Sequence, residues 1–193
     1  KKTRIALIYP STEKVGSSNL GLRKVFADLS LFDEIYCEIL FLDDVAARFI
    51  PEKYEIICFS ISYEVDLLKI ISFFQKLKWF DSSLKLKEEL PLLLAGGYAI
   101  TSNPFPYTDL FDLLFIGEIE GVEKDFFLQL IKIKSQGKKN VLQGFTGLSG
   151  LLYGNPGKRN NKIQAENIVR VFPQKLYFQK SEQGSNREKG LFN

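Results

Sequence analysis

Along this chain, short runs of apolar residues alternate with stretches where apolar side chains recur every three or four positions. Arg4–Tyr9 is almost continuously apolar and is closed by Pro10, the pattern of a strand buried on both faces. A polar loop, Ser11–Asn19, comes next. Leu22, Val25, Phe26 and Leu29 then fall at helical spacing, with Ser17, Ser18 or Asn19 as N-cap. Glu34–Phe41 alternates through Ile35, Cys37, Ile39 and Phe41, as a half-covered outer strand does. Tyr54–Ser60, Pro91–Ala95 and Asp112–Ile116 predict three further strands. Leu67, Ile70, Ile71, Phe74 and Leu77 predict a long helix ending near Trp79, and Val122, Phe126, Leu130 and Ile133 predict a last one. Strands alternating with helices imply right-handed crossovers and a parallel sheet. The fold class expected is α/β, a doubly wound five-stranded parallel sheet of order 2-1-3-4-5.

That order is flavodoxin-like, and its ligand crevice lies at the carboxyl ends of the strands where the winding reverses. Three loops should meet there: Pro10–Gly21, Ser60–Glu64 and Gly96–Pro104. All are rich in hydroxyls and short in side-chain bulk, and the first opens into a helix N-terminus suited to an anionic group. Gly96-Gly97, directly after a buried strand, implies that another chain or a ligand passes close to that backbone. From these loops the candidate cofactor-binding residues are Ser11, Thr12, Gly16, Ser17, Ser60, Ser62, Gly96 and Gly97. Glu118, after the fifth strand, joins them with Glu120 beside it.

Charge then divides the chain. Lys1–Ile131 holds 14 basic and 20 acidic residues, whereas Lys132–Asn193 holds 12 basic and 3 acidic. The expected organisation is therefore an α/β domain over 1–136 and a basic, irregular C-terminal extension over 137–193. The extension's cations can dock on the acidic core or contact RNA, and packing within the protein is the favoured use. No apolar run approaches the ~20 residues of a membrane span, and no secretory signal core is present, so the expected setting is cytoplasmic. The sequence contains no His and two Cys, Cys37 and Cys58. Ser-His and Cys-His catalysis, His-ligated metals and a four-Cys cluster are thereby excluded within this chain, and no metal ligands are assigned. The two cysteines sit on strands that the order separates, as small core residues rather than a disulfide. A receiver-type phosphorylation site is also excluded, because Pro10-Ser11 and Ser60 stand where its acids would be.

Tyr9–Gly21 resembles the first-strand loop of the cobalamin-binding-type, Rossmann-like domain that precedes the catalytic barrel in many radical-SAM proteins. Phe59–Glu64, Ala95-Gly96-Gly97, Asn103-Pro104 and Asp112…Ile116–Glu120 recur in the same order in that family. The likeness spans roughly residues 4–132. It implies the N-terminal accessory domain of a longer radical-SAM enzyme whose 4Fe-4S cluster and S-adenosylmethionine belong to a downstream barrel, the expected partner. The family's Cys-x-x-x-Cys-x-x-Cys motif is missing, so the fragment itself should be inactive. By the same resemblance Gly96 and Gly97 flank a nucleotide tail, and Ser60 and Ser62 take the place of the family's Ser-x-Leu. The cobalt-ligating His of the first loop is absent. This leaves three readings open: cobalamin held base-off with no His ligand, a flavin- or nucleotide-binding module, or a docking domain that binds no cofactor.

Overall fold

The computed structural model describes residues 2–45, 48–87, 89–146 and 148–154. Five parallel strands form in the expected order. They are β1 (Thr3–Tyr9), β2 (Ile35–Phe41), β3 (Ile56–Ser60), β4 (Leu92–Gly96) and β5 (Leu113–Phe115). The sheet has six strands, however, and its order is 2-1-3-4-5-6. The sixth, β6 (Leu151–Tyr153), runs antiparallel to β5 with Leu114 opposite Leu152, so the five-stranded, all-parallel expectation is corrected. Its Leu151 and Leu152 are buried, and the edge backbone of β5 gains a partner that a three-residue apolar piece is just long enough to supply.

Side-chain alternation sends each strand's residues to two faces. On one, Ala6, Ile8, Ile57, Phe59, Leu93, Ala95 and Leu114 meet α4 (Asp66–Lys76) and the short α5 (Tyr98–Ser102). Phe74 fills the middle of this layer, in aromatic contact with Phe59, Trp79 and Phe111 at centroid distances of 5.7, 4.8 and 6.0 Å. On the other face, Ile5, Leu7, Ile56, Cys58, Leu92, Leu94 and Leu113 lie under α2 (Leu20–Leu29) and α6 (Glu123–Ile131). The last predicted helix is two: α6 stops at Ile131 and α7 (Ile133–Gln143) follows, kinked at Gly137. Two further short helices occupy the connections after β1 and β2: α1 (Glu13–Gly16) and α3 (Leu42–Val45).

Two cations of the segment after α6, Lys134 and Lys138, dock on the core. Lys134 pairs with Glu55 at 3.2 Å. Lys138 pairs with the buried Asp112 at 2.9 Å and also donates to the carbonyl of Pro91. Asp112 in turn accepts from the β4 backbone at Leu93. The basic residues of the extension from Lys158 onward lie outside the described residues. No described helix is long and apolar enough to cross a membrane.

Candidate functional site

The three loops do come together at the carboxyl edge of the sheet, but they play unequal parts. Loops two and three are laced by backbone: Ile61 N–H donates to Gly96 at 2.8 Å and Ala99 N–H to Ile61 at 3.1 Å. Gly97 has φ +114°, and a Cβ there would stand 2.5 Å from the Ile61 carbonyl oxygen. The close approach anticipated at this glycine is thus made by another piece of the chain. Loop one reaches loop two through Asn19, whose Nδ2 donates to Ser62 Oγ at 3.0 Å while its Oδ1 accepts from Leu22 N–H and caps α2.

Loop one turns its hydrogen bonds inward. Val15 and Gly16 N–H donate to the Thr12 carbonyl, Ser17 N–H to Glu13, Asn19 N–H to Gly16 and Ser11 N–H to Tyr9. Glu13 N–H donates to the carboxylate of Asp44. Gly16 is pressed under the rings of Tyr9 and Phe41, which a Cβ would meet at under 3 Å. Asp43, the neighbour of Asp44, pairs with Lys69, which also donates to the Pro10 carbonyl. Most backbone donors of Ser11–Ser17 are thus engaged by the protein itself.

A cleft of about 340 Å³ opens instead between α2 and α6. Register explains its floor. Leu7 lies opposite Cys58, Cys58 opposite Leu94 and Ser60 opposite Gly96, so these residues share one sheet face, with Ser60 and Gly96 nearest the carboxyl edge. Gly21, Lys24 and Val25 of α2 form one wall, and Phe126, Phe127 and Leu130 of α6, one helical stripe, form the other. At the closed end Phe32 meets Phe127 edge-on at 5.7 Å, joining the two sides. Gly117, Glu118 and Glu120 border the open end, where Gly117 N–H is tied to Thr101 Oγ1 at 2.9 Å.

Of the predicted residues, Ser60, Gly96, Gly97 and Glu118 line this one cleft. Ser62 stands beside it on the Asn19 contact, whereas Ser11, Thr12, Gly16 and Ser17 belong to the inward-bonded turn. The sequence reading missed both walls. Their signal was present in the apolar stripes of α2 and α6, but a stripe shows only that a helix faces the core.

The electrostatics of the cleft are those of an apolar slot with a polar rim. Burial pushes the Cys58 thiol on the floor well above the usual thiol range and that of nearby Cys37 up to about 12, so both are neutral and poorly nucleophilic. Lys24 is bonded to the Asp28 carboxylate, which raises its pKa, and Glu120 and Glu123 add to the effect. The rim is therefore net acidic, its cation already matched. Among the described residues no group of three or more Cys, Asp and Glu side chains could hold a metal ion. A larger and more open groove, about 1,040 Å³, lies at the amino edge among Lys76, Lys85, Lys87, Glu52 and Glu89, away from every loop that follows a strand.

Residues 47–152, more than half of the chain, match the family described as radical SAM proteins, N-terminal. An uncharacterized protein of Methanocaldococcus jannaschii is 23% identical over 172 residues, which are 89% of this chain and 32% of that protein. The chain thus spans about a third of the length of the curated relative it matches. No solved structure matches. The chain belongs to the family of N-terminal domains of radical SAM proteins.

Proposed function

We propose that this domain holds cobalamin for a radical-SAM catalytic domain in the same protein, with the base of the nucleotide tail in the cleft between α2 and α6. The observation that carries the reading is the cleft itself: a slot near the lower end of the ~300–1,000 Å³ range of small-molecule sites, apolar within and polar at the mouth. A flat aromatic base suits the floor of Leu7, Cys58 and Leu94, and ribose hydroxyls suit Ser60 and the carboxylates Glu118 and Glu120. When bound, the cofactor supplies a cobalt centre able to carry carbon groups. With no His in this chain, the domain itself offers it no imidazole ligand.

A flavin or nucleotide phosphate is the weaker reading, because most N–H groups of Ser11–Ser17 are already bonded within the protein and Lys24, a cation lining the cleft, is paired with Asp28. A docking role accompanies ligand binding rather than competing with it. Leu20, Tyr63, Val65, Leu68, Tyr98 and Phe105 are all more than half exposed, and all follow β1, β3 or β4 at the carboxyl edge. That apolar edge is where the downstream catalytic domain, with its 4Fe-4S cluster and S-adenosylmethionine, would pack.

Melting the chain with hydroxocobalamin, FMN and ATP added separately tests the reading, since a ligand that binds only the native state must raise the transition. Hydroxocobalamin alone should do so. A rise with FMN or ATP and none with hydroxocobalamin would move the assignment to the nucleotide module, and no rise with any would leave a docking domain.

A further inference from the structure

We infer that the cleft between α2 and α6 selects among bicyclic aromatic rings by their polarity, accepting a benzimidazole-type ring with alkyl substituents and rejecting a purine. This deepens the ligand reading of the same cleft, yet it rests on the lining rather than on any particular cofactor.

The apolar side chains of the lining include Leu7, Val25, Leu94, Phe115, Phe126 and Leu130, together with the Cys58 thiol. Leu7, Cys58 and Leu94 come from paired strands, so the peptide groups of the floor are engaged in the sheet ladder. Those of Val25, Phe126 and Leu130 in the walls belong to helices α2 and α6, hydrogen-bonded along their own axes, while Gly21 lies in the first turn of α2, whose N–H groups have no intrahelical partner. The thiol is a weak donor and acceptor. A ring entering this space therefore meets almost nothing that can replace the water it gives up. Adenine carries an exocyclic amine and several ring nitrogens that would be buried unpaired. Dimethylbenzimidazole carries a single free ring nitrogen and offers methyl groups in place of the others. Polar groups are concentrated at the mouth, where Ser60, Glu118 and Glu120 can bond a sugar, so a riboside should be preferred to its free base.

The test is calorimetric titration of the 193-residue chain with 5,6-dimethylbenzimidazole riboside and with adenosine, then with cobalamin and its adenine-tailed analogue. The benzimidazole member of each pair should bind about tenfold or more tightly, the usual consequence of leaving one or more buried polar groups without partners. Val25→Thr, which keeps the side-chain shape and adds a hydroxyl to the wall, should narrow that ratio while leaving the melting transition cooperative. Equal affinities, or a preference for adenine, would overturn the inference while leaving cobalamin binding intact. Selective uptake of the benzimidazole riboside without uptake of cobalamin would support the inference and overturn the cofactor assignment. Binding of cobalamin with neither riboside taken up would place its contacts at the rim and overturn the inference. No binding by any of the four would overturn both.

Discussion

The two faces of one sheet have opposite fates. Under α4 and α5 the face is closed by aromatic packing: Phe59, Phe73, Phe74 and Phe111 are each no more than 2% exposed. Under α2 and α6 the same strands, carrying side chains of similar apolarity one position along, leave a cleft. The difference does not lie in the hydrophobicity of the strands. It lies in what arrives from above. The first face receives Phe73, Phe74 and Trp79 over its centre, whereas the second receives two helices joined at one end by Phe127 of α6 and Phe32 in the loop after α2, with Gly21 and Val25 lining the remaining space. Binding space on a doubly wound sheet is thus made by what the covering helices withhold.

The contrast predicts its own largest effect. Phe74→Ala, in the filled face, should cost about 3–5 kcal/mol in thermal or denaturant unfolding, the range for truncating a buried aromatic. Val25→Ala, at the cleft wall, should cost under about 1 kcal/mol, since the lost methyl groups bordered space already open. Similar losses at both sites would mean that the cleft is closed in solution.

Gly97→Ala comes next, at about 1–3 kcal/mol, because the backbone there has positive φ and the new Cβ meets the Ile61 carbonyl oxygen. The variant separates packing from ligand contact. A loss of melting temperature in the free chain is expected, whereas a loss of ligand affinity without one would show that this glycine serves the ligand.

Lys138→Met removes the cation paired with the buried Asp112. Burial holds the Asp112 pKa above the usual carboxylate value, and Lys138 partly opposes that. A folded pKa above the unfolded one means that the native state binds the extra proton, so this group's contribution to stability is greatest below about pH 4 and falls as pH rises through the folded value. Without Lys138 the folded pKa climbs further. The variant should match the parent near pH 3 and lose about 1–2 kcal/mol by neutral pH, read as melting temperature against pH. A loss independent of pH would assign Lys138 a packing role.

The smallest effect is expected at the exposed edge. Tyr98→Ser should change the stability of this chain by no more than about 0.5 kcal/mol. In the full-length protein it should loosen the attachment of the downstream domain, read as faster proteolysis between the two.

The sequence carried the sheet further than the site. Buried strands such as Ile56–Ser60 and Leu92–Gly96 are legible because burial on both faces demands unbroken apolar runs. Leu151–Tyr153 is a strand only because β5 offers it an open edge, and three residues among glycines carry no period of their own. α7 escaped for a related reason: of its residues only Ile133 and Val141 are buried, too few for a stripe. At the site, Ser60, Gly96, Gly97 and Glu118 could be placed because topology alone brings strand ends together. The hydroxyl-rich first loop shows the limit of that reasoning. Residues such as Ser11, Thr12 and Ser17 suit a turn and a phosphate cradle equally well, and what separates the two is whether the backbone N–H groups are already bonded, which composition does not record.

On the proposed reading, cobalamin enters between α2 and α6 rather than over the first loop. An NMR titration of the isotope-labelled chain with hydroxocobalamin tests this most directly. Saturable amide shifts are expected at Gly21–Val25, Ser60, Gly96-Gly97 and Phe126–Leu130, abolished by Gly21→Leu, a substitution whose new Cβ meets only ordinary contact with Asn19. Shifts confined to Ser11–Ser17, or binding unaltered by Gly21→Leu, would contradict it.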